Sequence, residues 1–350
     1  MTQTSSIVVI GGGPAGAATA LELAQAGCDV VLLERQRVAG WKIGETLPPE
    51  SRVHLQRLGL WERFLADGHL QCHGVVSVWG HSTPVEKDFI FNPNGNAWQL
   101  DRAVFENMLL SAAAGAGCRV CLNENVEEVS PTQGGWLIRT STQTIFTDWL
   151  IDASGRSSDL LRSERGQYQQ LDQLISIYAI TQTNQTTDHD ARTWVESHPE
   201  GWCYTALMPS GKRTVALQTD SDLATPENIN TAWLSKKLEE CPTINELLRK
   251  HNYEFTSSPR WIAAHSARFE HCGGQNWLAV GDAAMTFDPL SGLGSLKALE
   301  SASNAVQSIL YQADYPAVCE MLWGNFRLEY DDYYRAELQW SDSPFWRRRR

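Results

Sequence analysis

No stretch of the 350-residue chain approaches the roughly 20 consecutive apolar residues that a membrane-spanning helix needs. No basic flank or cleavage-like site precedes the first apolar strand, Ile7-Val8-Val9-Ile10, so neither a span nor a secretory signal is expected and the cytoplasm is the natural compartment. Cations are in short supply. The 29 Lys and Arg against 41 Asp and Glu leave a formal charge of −12. That excludes a general nucleic-acid binder, which needs cations to displace phosphate counterions. The only basic run, Arg347-Arg348-Arg349-Arg350, reads as a solvated tail. Among the 8 cysteines, Cys118 and Cys121 form a lone CxxC. No second pair stands at zinc spacing and no His cluster accompanies it, so core thiols on a strand are expected and no metal. Internal repeats and low-complexity linkers are missing too. The length exceeds one small core and suggests one large domain or two interleaved ones.

What is present has a clear order. Residues 7–34 read as strand, glycine-rich turn, helix and strand, with Gly27 ending a helix that runs from Pro14 to Ala26. Short strands are predicted near 74–80, 88–91 and 97–100, then a helix capped by Asp101 and three strands between 124 and 151. A β-rich middle spans about 171–219. Helical periods follow at 226–250, strands near 259–265 and 276–280, and helices around 293–311 and 314–339. Nucleotide-binding elements thus recur at the start, middle and end of the chain, with β-rich pieces between them. The expected division is 1–71, 98–160 and 270–310 for an α/β Rossmann-like domain, 72–97 and 161–269 for an interleaved β-rich substrate domain, and 311–350 for a helical C-terminal segment.

Gly11-Gly12-Gly13-Pro14-Ala15-Gly16 is G-x-G-x-x-G between a strand and a helix. Gly11 permits the tight turn, Gly13 lets a pyrophosphate reach the backbone, and Gly16 allows close helix–sheet packing. The helix start offers free N–H groups and the positive end of its dipole. Glu34 ends the second strand, where an acid can accept hydrogen bonds from a ribose. Two later segments argue for FAD over NAD. Gly281-Asp282-Ala283-Ala284 follows an apolar strand, and a strand-end Asp needs partners such as the hydroxyls of a ribityl chain. Asp288-Pro289-Leu290-Ser291-Gly292-Leu293-Gly294 then opens a helix, with Gly292 and Gly294 allowing backbone N–H groups near a flavin edge. Leu150-Ile151-Asp152-Ala153-Ser154-Gly155-Arg156-Ser157-Ser158 closes another strand with an acid and a Gly turn.

In that order, G-x-G-x-x-G, D-A-S-G-R and G-D-A-A…D-P-L-S-G-x-G resemble the p-hydroxybenzoate hydroxylase group of flavoproteins. The resemblance implies bound FAD. Its contacts would be Gly11, Gly13, Pro14, Ala15, Gly16, Glu34, Arg35, Arg102, Val126, Asp152, Gly281, Asp282, Pro289, Gly292, Leu293 and Gly294. Gly40-Trp41-Lys42-Ile43-Gly44-Glu45-Thr46-Leu47-Pro48-Pro49 is similar to the loop that passes the flavin in the tryptophan-halogenase branch. It makes Glu45 and Lys42 candidate catalytic residues, and Glu45 a cofactor neighbour as well. The chain departs from the halogenases in two places. Their W-x-W-x-I-P appears here as Trp202-Cys203-Tyr204-Thr205-Ala206-Leu207-Met208-Pro209. The lysine that carries activated halogen is missing from Leu70-Gln71-Cys72-His73-Gly74. Trp202, Tyr204 and His73 are the expected substrate-pocket residues, with core packing the alternative for Trp202.

With its loop and the segment Ser343-Pro344-Phe345-Trp346-Arg347, the chain looks most like the flavoprotein maturases of cysteine-tryptophylquinone oxidases. That resemblance implies a monooxygenase acting on a tryptophan of a precursor protein. Electrons would come from NAD(P)H bound transiently, since no second G-x-G-x-x-G exists, or from a flavin reductase. The alternatives are an FAD-dependent reductase of an isoprenoid or other small molecule, and a non-catalytic FAD-bound maturation chaperone.

Overall fold

Two large sheets, each assembled from separated stretches of sequence, organise the protein in a computed structural model that describes all residues except Met1, Ala39, Ser157, Ser158, Thr186, Thr187 and 225–228. In the first sheet the strand Thr2–Ile10 lies between Thr144–Asp152 and Val30–Glu34, all parallel. Arg119–Leu122 and Trp277–Ala279 extend it at either side, again in parallel. Parallel strands are covered on both faces, so they favour continuous apolar runs over alternation. Ile7–Ile10 and Val30–Leu33 are such runs, and every residue in them is buried. The helix Pro14–Gln25 packs against this sheet through Ala17, Ala18 and Leu21, and the helices Arg102–Gly115 and Gly294–Tyr311 pack beside it. Asp101 caps the second of these helices, its carboxylate accepting from the Ala103 and Val104 N–H groups.

The second sheet runs Glu254–Phe255, Leu174–Gln182, Arg213–Asp220, Gly201–Leu207, Thr193–His198, Gly74–Val78 and Val85–Asp88, with Arg260–Ala263 also on Leu174–Gln182. Here alternation rules. Ile175, Ile177, Cys203, Val215 and Leu217 form a separate core with Leu234, Leu238, Ile244 and Leu248 of the helices Thr231–Glu239 and Pro242–Lys250. By strand geometry Tyr178, Trp202, Tyr204, Thr214 and Gln218 point to the opposite face. That face meets the first sheet's core, to which Trp202 belongs.

The helical period at 226–250 resolves into those two helices because Pro242 cannot continue the first and takes the opening position of the next. Residues 226–228 of that expectation lie outside the described residues. The strand predicted at 88–91 is found at Val85–Asp88. Among the described residues no helix is long and apolar enough to cross a membrane.

The C-terminal arginines correct the sequence expectation of a solvated tail. Arg349 is buried, its guanidinium 2.5 Å from Asp220 and 3.7 Å from the centre of the Phe345 ring. Arg348 bridges Asp220 and Asp222, and Arg350 donates to the Glu337 carbonyl. Arg347 is exposed, and among the described residues it makes no ion pair. The cause is the preceding Phe345-Trp346, both fully buried, with Trp346 Nε1 donating to the His198 carbonyl at 2.9 Å. Two large aromatics draw the cations inward, and strand-end acids more than a hundred residues away answer their charge. Trp346→Ala should therefore lower stability by about 3–5 kcal/mol, as loss of a buried aromatic does, while Arg347→Ala should change it by less than ~0.5 kcal/mol. Urea unfolding of the two variants checks this, and equal, small effects would restore the solvated-tail reading.

Candidate active site

The glycine turn is pressed against the end of the strand Thr144–Asp152. Gly11 has φ +109°, and a Cβ on it would fall 2.3 Å from the Ala153 carbonyl oxygen. A Cβ on Gly16 would fall 1.9 Å from the Gly11 oxygen. Neither position tolerates a side chain. Around Gly13 the space is open, with nothing within 4 Å of its would-be Cβ, directly at the start of the helix that Pro14 opens. Gly281 closes on the same turn, its would-be Cβ 2.7 Å from the Ala15 Cβ. Glu34 reaches back, accepting from Gly12 N–H at 2.6 Å and from Gln36 N–H at 2.7 Å. Arg35 is exposed beside it, and a hydrogen bond from Glu124 N–H to the Glu34 carbonyl brings the strand that Val126 begins alongside.

Asp152 and Asp282 separate into different roles. Asp152 is fully buried, paired with Arg165, and accepts from Ser154 N–H and Oγ. Arg165 also donates to the Ala283 carbonyl at 3.1 Å. Asp152 thus helps hold two chain segments together at the glycine turn, a role beside the cofactor contact expected of it. The buried site selects the carboxylate for its partner cation. The Asp282 side chain is 50% exposed, with Arg156 at 3.9 Å, and remains open to a ligand. Ser157 and Ser158 of the same motif lie outside the described residues.

The opposite wall is the loop 40–47 folded over the polar face of the second sheet. Glu45 is 3% exposed. Its Oε2 accepts from Gly44 N–H at 2.9 Å, while Oε1 is buried without a hydrogen bond. Burial raises its pKa, and backbone N–H groups, Thr214 and the Arg102 charge oppose the rise. Thr214 lies close enough to exert that influence, yet its Oγ1 also lacks a hydrogen bond of ordinary geometry. Burial pushes the Tyr204 hydroxyl far up, and the charges of Glu45 and Tyr178 push it further. Trp41 stacks obliquely on Tyr178, ring centres 5.7 Å apart, and Tyr178 and Tyr204 flank Ala216 across the sheet. Behind the loop, Arg102 donates to the Gly44 carbonyl at 2.8 Å and to Glu106, and Lys42 pairs with the same Glu106 at 2.7 Å. Lys42 therefore fastens the loop to the helix Arg102–Gly115 instead of standing beside Tyr204.

The third element is the loop that opens the helix Gly294–Tyr311. Asp288 caps the turn Pro289–Ser291 through Leu290 N–H, Gly292 adopts φ +63°, and Leu293 precedes the helix. Burial and the neighbouring Asp172 charge push the Asp288 carboxyl up to about 7. Tyr334 donates to Asp288 Oδ2 at 2.7 Å, and Trp202 Nε1 donates to the Tyr334 oxygen at 3.1 Å. Trp202 is thus a core residue, 1% exposed. Packing is the role the structure gives it. His73 is exposed at the start of the strand Gly74–Val78. Ser77 is the residue level with Val195 and Tyr204, so His73 lies roughly 13 Å further along at the strand rise and is displaced from the expected pocket.

These residues fit FAD. The open Gly13 cradle faces a helix start, Asp282 is available, and Glu45 Oε1, Arg102 Nε, Thr214 Oγ1 and Gln218 Oε1 are buried polar atoms still lacking partners. The sequence offered no local signal for Arg165, Tyr334 or Gln99, whose side chain links Thr46 of a small three-stranded sheet to Thr193 of the second large sheet.

Asp282→Ala should retain less FAD on purification. A ligand at 100 times its dissociation constant contributes about 2.7 kcal/mol, so the variant should also melt lower in limiting FAD. Unchanged flavin content and melting temperature would remove Asp282 from the site. A second expectation concerns pH. A carboxyl whose folded pKa stands above its unfolded value near 4.5 binds its proton more readily in the native state, so native stability falls as pH rises from there through the folded pKa. Glu45→Gln removes that ionisation. In the FAD-free protein the variant should lose less stability than the wild type across this window, read by denaturant unfolding, and parallel profiles would contradict the assignment.

Known proteins resemble this chain in sequence and in fold. LodB of Marinomonas mediterranea, by name an FAD-dependent oxidoreductase, is 29% identical over 99% of this chain and 97% of its own length. Flavin-dependent halogenases such as that of Armillaria mellea, 24% identical over 88% of the chain, are longer proteins of which the chain spans 65%. The fold matches that of the myxobacterial chondrochloren halogenase CndH with a TM-score of 0.87 at 24% identity, covering 99% of this chain and 86% of the other. It also matches QhpG, a peptidyl tryptophan dihydroxylase essential for tryptophylquinone cofactor biogenesis, with a TM-score of 0.78 at 25% identity over 99% and 78% of the two chains. The family model for the FAD binding domain matches residues 4–313, and the chain belongs to that family as an FAD-dependent oxidoreductase.

Proposed function

We propose that this chain is a monooxygenase that hydroxylates an aromatic side chain, a tryptophan of a precursor protein, during maturation of a tryptophylquinone cofactor. The observation that carries the reading is the buried Glu45 carboxyl, one oxygen without a hydrogen bond, on a loop whose Trp41 packs on Tyr178 of the sheet face that also carries Tyr204. Bound FAD, once reduced, supplies the activation of dioxygen. The chain's own residues do the rest. Glu45 Oε1 can accept the N–H of an indole and hold its proton, which enriches the ring in electrons as it is attacked. Tyr204 and Tyr178 give the ring surfaces to lie against, and Arg102, Glu106 and Lys42 fix the loop that carries Glu45. Contacts remote from the reacting ring, available only from a polypeptide, would supply the binding energy that orients it.

The likeness to LodB and to QhpG supports this assignment. Halogenation is the second reading, favoured by the halogenases among the relatives. Against it stand the missing lysine in residues 70–74 and the Lys42 amine committed to Glu106. NAD(P)H or a separate flavin reductase would deliver the electrons.

Co-expression with the immature precursor, followed by intact mass measurement, tests the proposal. The precursor should gain mass in multiples of one oxygen atom, and added bromide should change nothing. Glu45→Gln should cut that gain by about a hundredfold or more while FAD stays bound. Efficient turnover of a free phenol or indole, with a precursor that neither binds nor changes mass, would overturn the assignment, and a brominated product would favour the halogenase reading.

A further inference from the structure

Away from the glycine turn, a cavity of about 610 Å³ opens between residues 170–173, Asp220, the helix Tyr315–Ala336 and the C-terminal arginines. Its walls carry Arg327, Arg335, Arg348, Arg349 and Arg350. Against these stand Asp172, Asp220 and Asp331, so the cavity has a local excess of cations on a chain of formal charge −12. Part of the charge is answered, Arg349 by Asp220 and Arg348 by Asp220 and Asp222. Arg335 reaches Asp331 only at 3.5 Å. Arg327 enters no ion pair among the described residues, and its Nε is buried without a hydrogen-bond partner. A buried donor on a charged group is costly to leave unmet, and the Arg327 guanidinium, in the cavity wall with no ion pair among the described residues, can pair with an anion there.

The size of the space argues against a lone inorganic ion, since it falls within the range of small-molecule sites. The lining argues against an apolar ligand, because Gln170 and Gln173 add amides to the charged groups. Planar guanidinium forks match phosphate oxygens two at a time, and several converging forks suit a group with more than one charge. We propose that this cavity binds a phosphate-bearing small molecule of nucleotide size, with Arg327 and Arg335 on its phosphates and Gln170 and Gln173 on the polar remainder. The site is independent of the substrate proposed above. It does adjoin the flavin loop, because Arg349 in its wall lies over the Tyr334 ring, and Tyr334 holds Asp288.

Calorimetric titration of the FAD-loaded protein, whose glycine turn is already filled, tests the site with pyrophosphate, ADP and NADPH. ADP or NADPH should bind more tightly than pyrophosphate and compete with it. Arg327→Gln should weaken binding at least about tenfold, or 1.4 kcal/mol, with FAD content and melting temperature unchanged. Arg335→Gln, at a more exposed position, should do the same and guards against misfolding of the first variant. An acidic peptide should bind at least about tenfold more weakly than ADP. The proposal is overturned if none of the three phosphate compounds binds, if both variants bind as the wild type does, or if pyrophosphate outbinds both nucleotides. It is equally overturned if the acidic peptide matches ADP with the same arginine dependence, which would make the cavity a peptide dock.

Discussion

The ion pair between Asp152 and Arg165 is the constraint around which the nucleotide end of the protein is arranged. Two charges removed from water gain little over an apolar pair of equal volume, but leaving either alone costs roughly 3–5 kcal/mol. The pair therefore makes the local geometry all-or-none. Asp152 continues the strand that pairs with Ile10, so its position sets where Ala153 meets Gly11. Arg165 carries the tie onward to the Ala283 carbonyl, and so to Gly281 and Asp282. Three segments distant in sequence meet at one buried charge pair, and the open side of the glycine turn is what remains for a ligand.

A second network holds the loop 40–47. Glu106 is shared by Arg102 and Lys42, which fixes the loop from behind, while Gln99 links Thr46 of a small three-stranded sheet to Thr193 of the second large sheet. The loop is thereby clamped at both sides, and Glu45 enters a place where its charge is disfavoured. A carboxyl held this way is poised to take a proton, whereas an exposed one would stay ionised and weakly basic.

What the sequence revealed follows from the range over which each signal acts. The glycine turn, Glu34, the Asp101 cap and the helix opened by Gly294 are local patterns, and each is found where its residues predicted. The polar face of the second sheet was legible only as alternation, because nothing in Gly201–Leu207 says which sheet it will meet. Trp202 and Tyr204 share a face, yet one donates to Tyr334 in the core and the other is only partly buried. The arginine run was misread for the same reason. A count of like charges cannot see Asp220, and only the burial of Phe345 and Trp346 brings the two together.

The C-terminal arm has a consequence for how the protein is made. Tyr334, Trp346 and Arg349 leave the ribosome after every segment they hold in place, including the loop from Asp288 to Gly294. Folding during synthesis proceeds from the N-terminal side. The nucleotide-binding strands can thus pair early, while the loop at Asp288 waits for its last tether. A nascent chain halted between residues 294 and 334 would carry the glycine turn and the acids around it, but a flavin loop whose anchor, Tyr334, is still unmade.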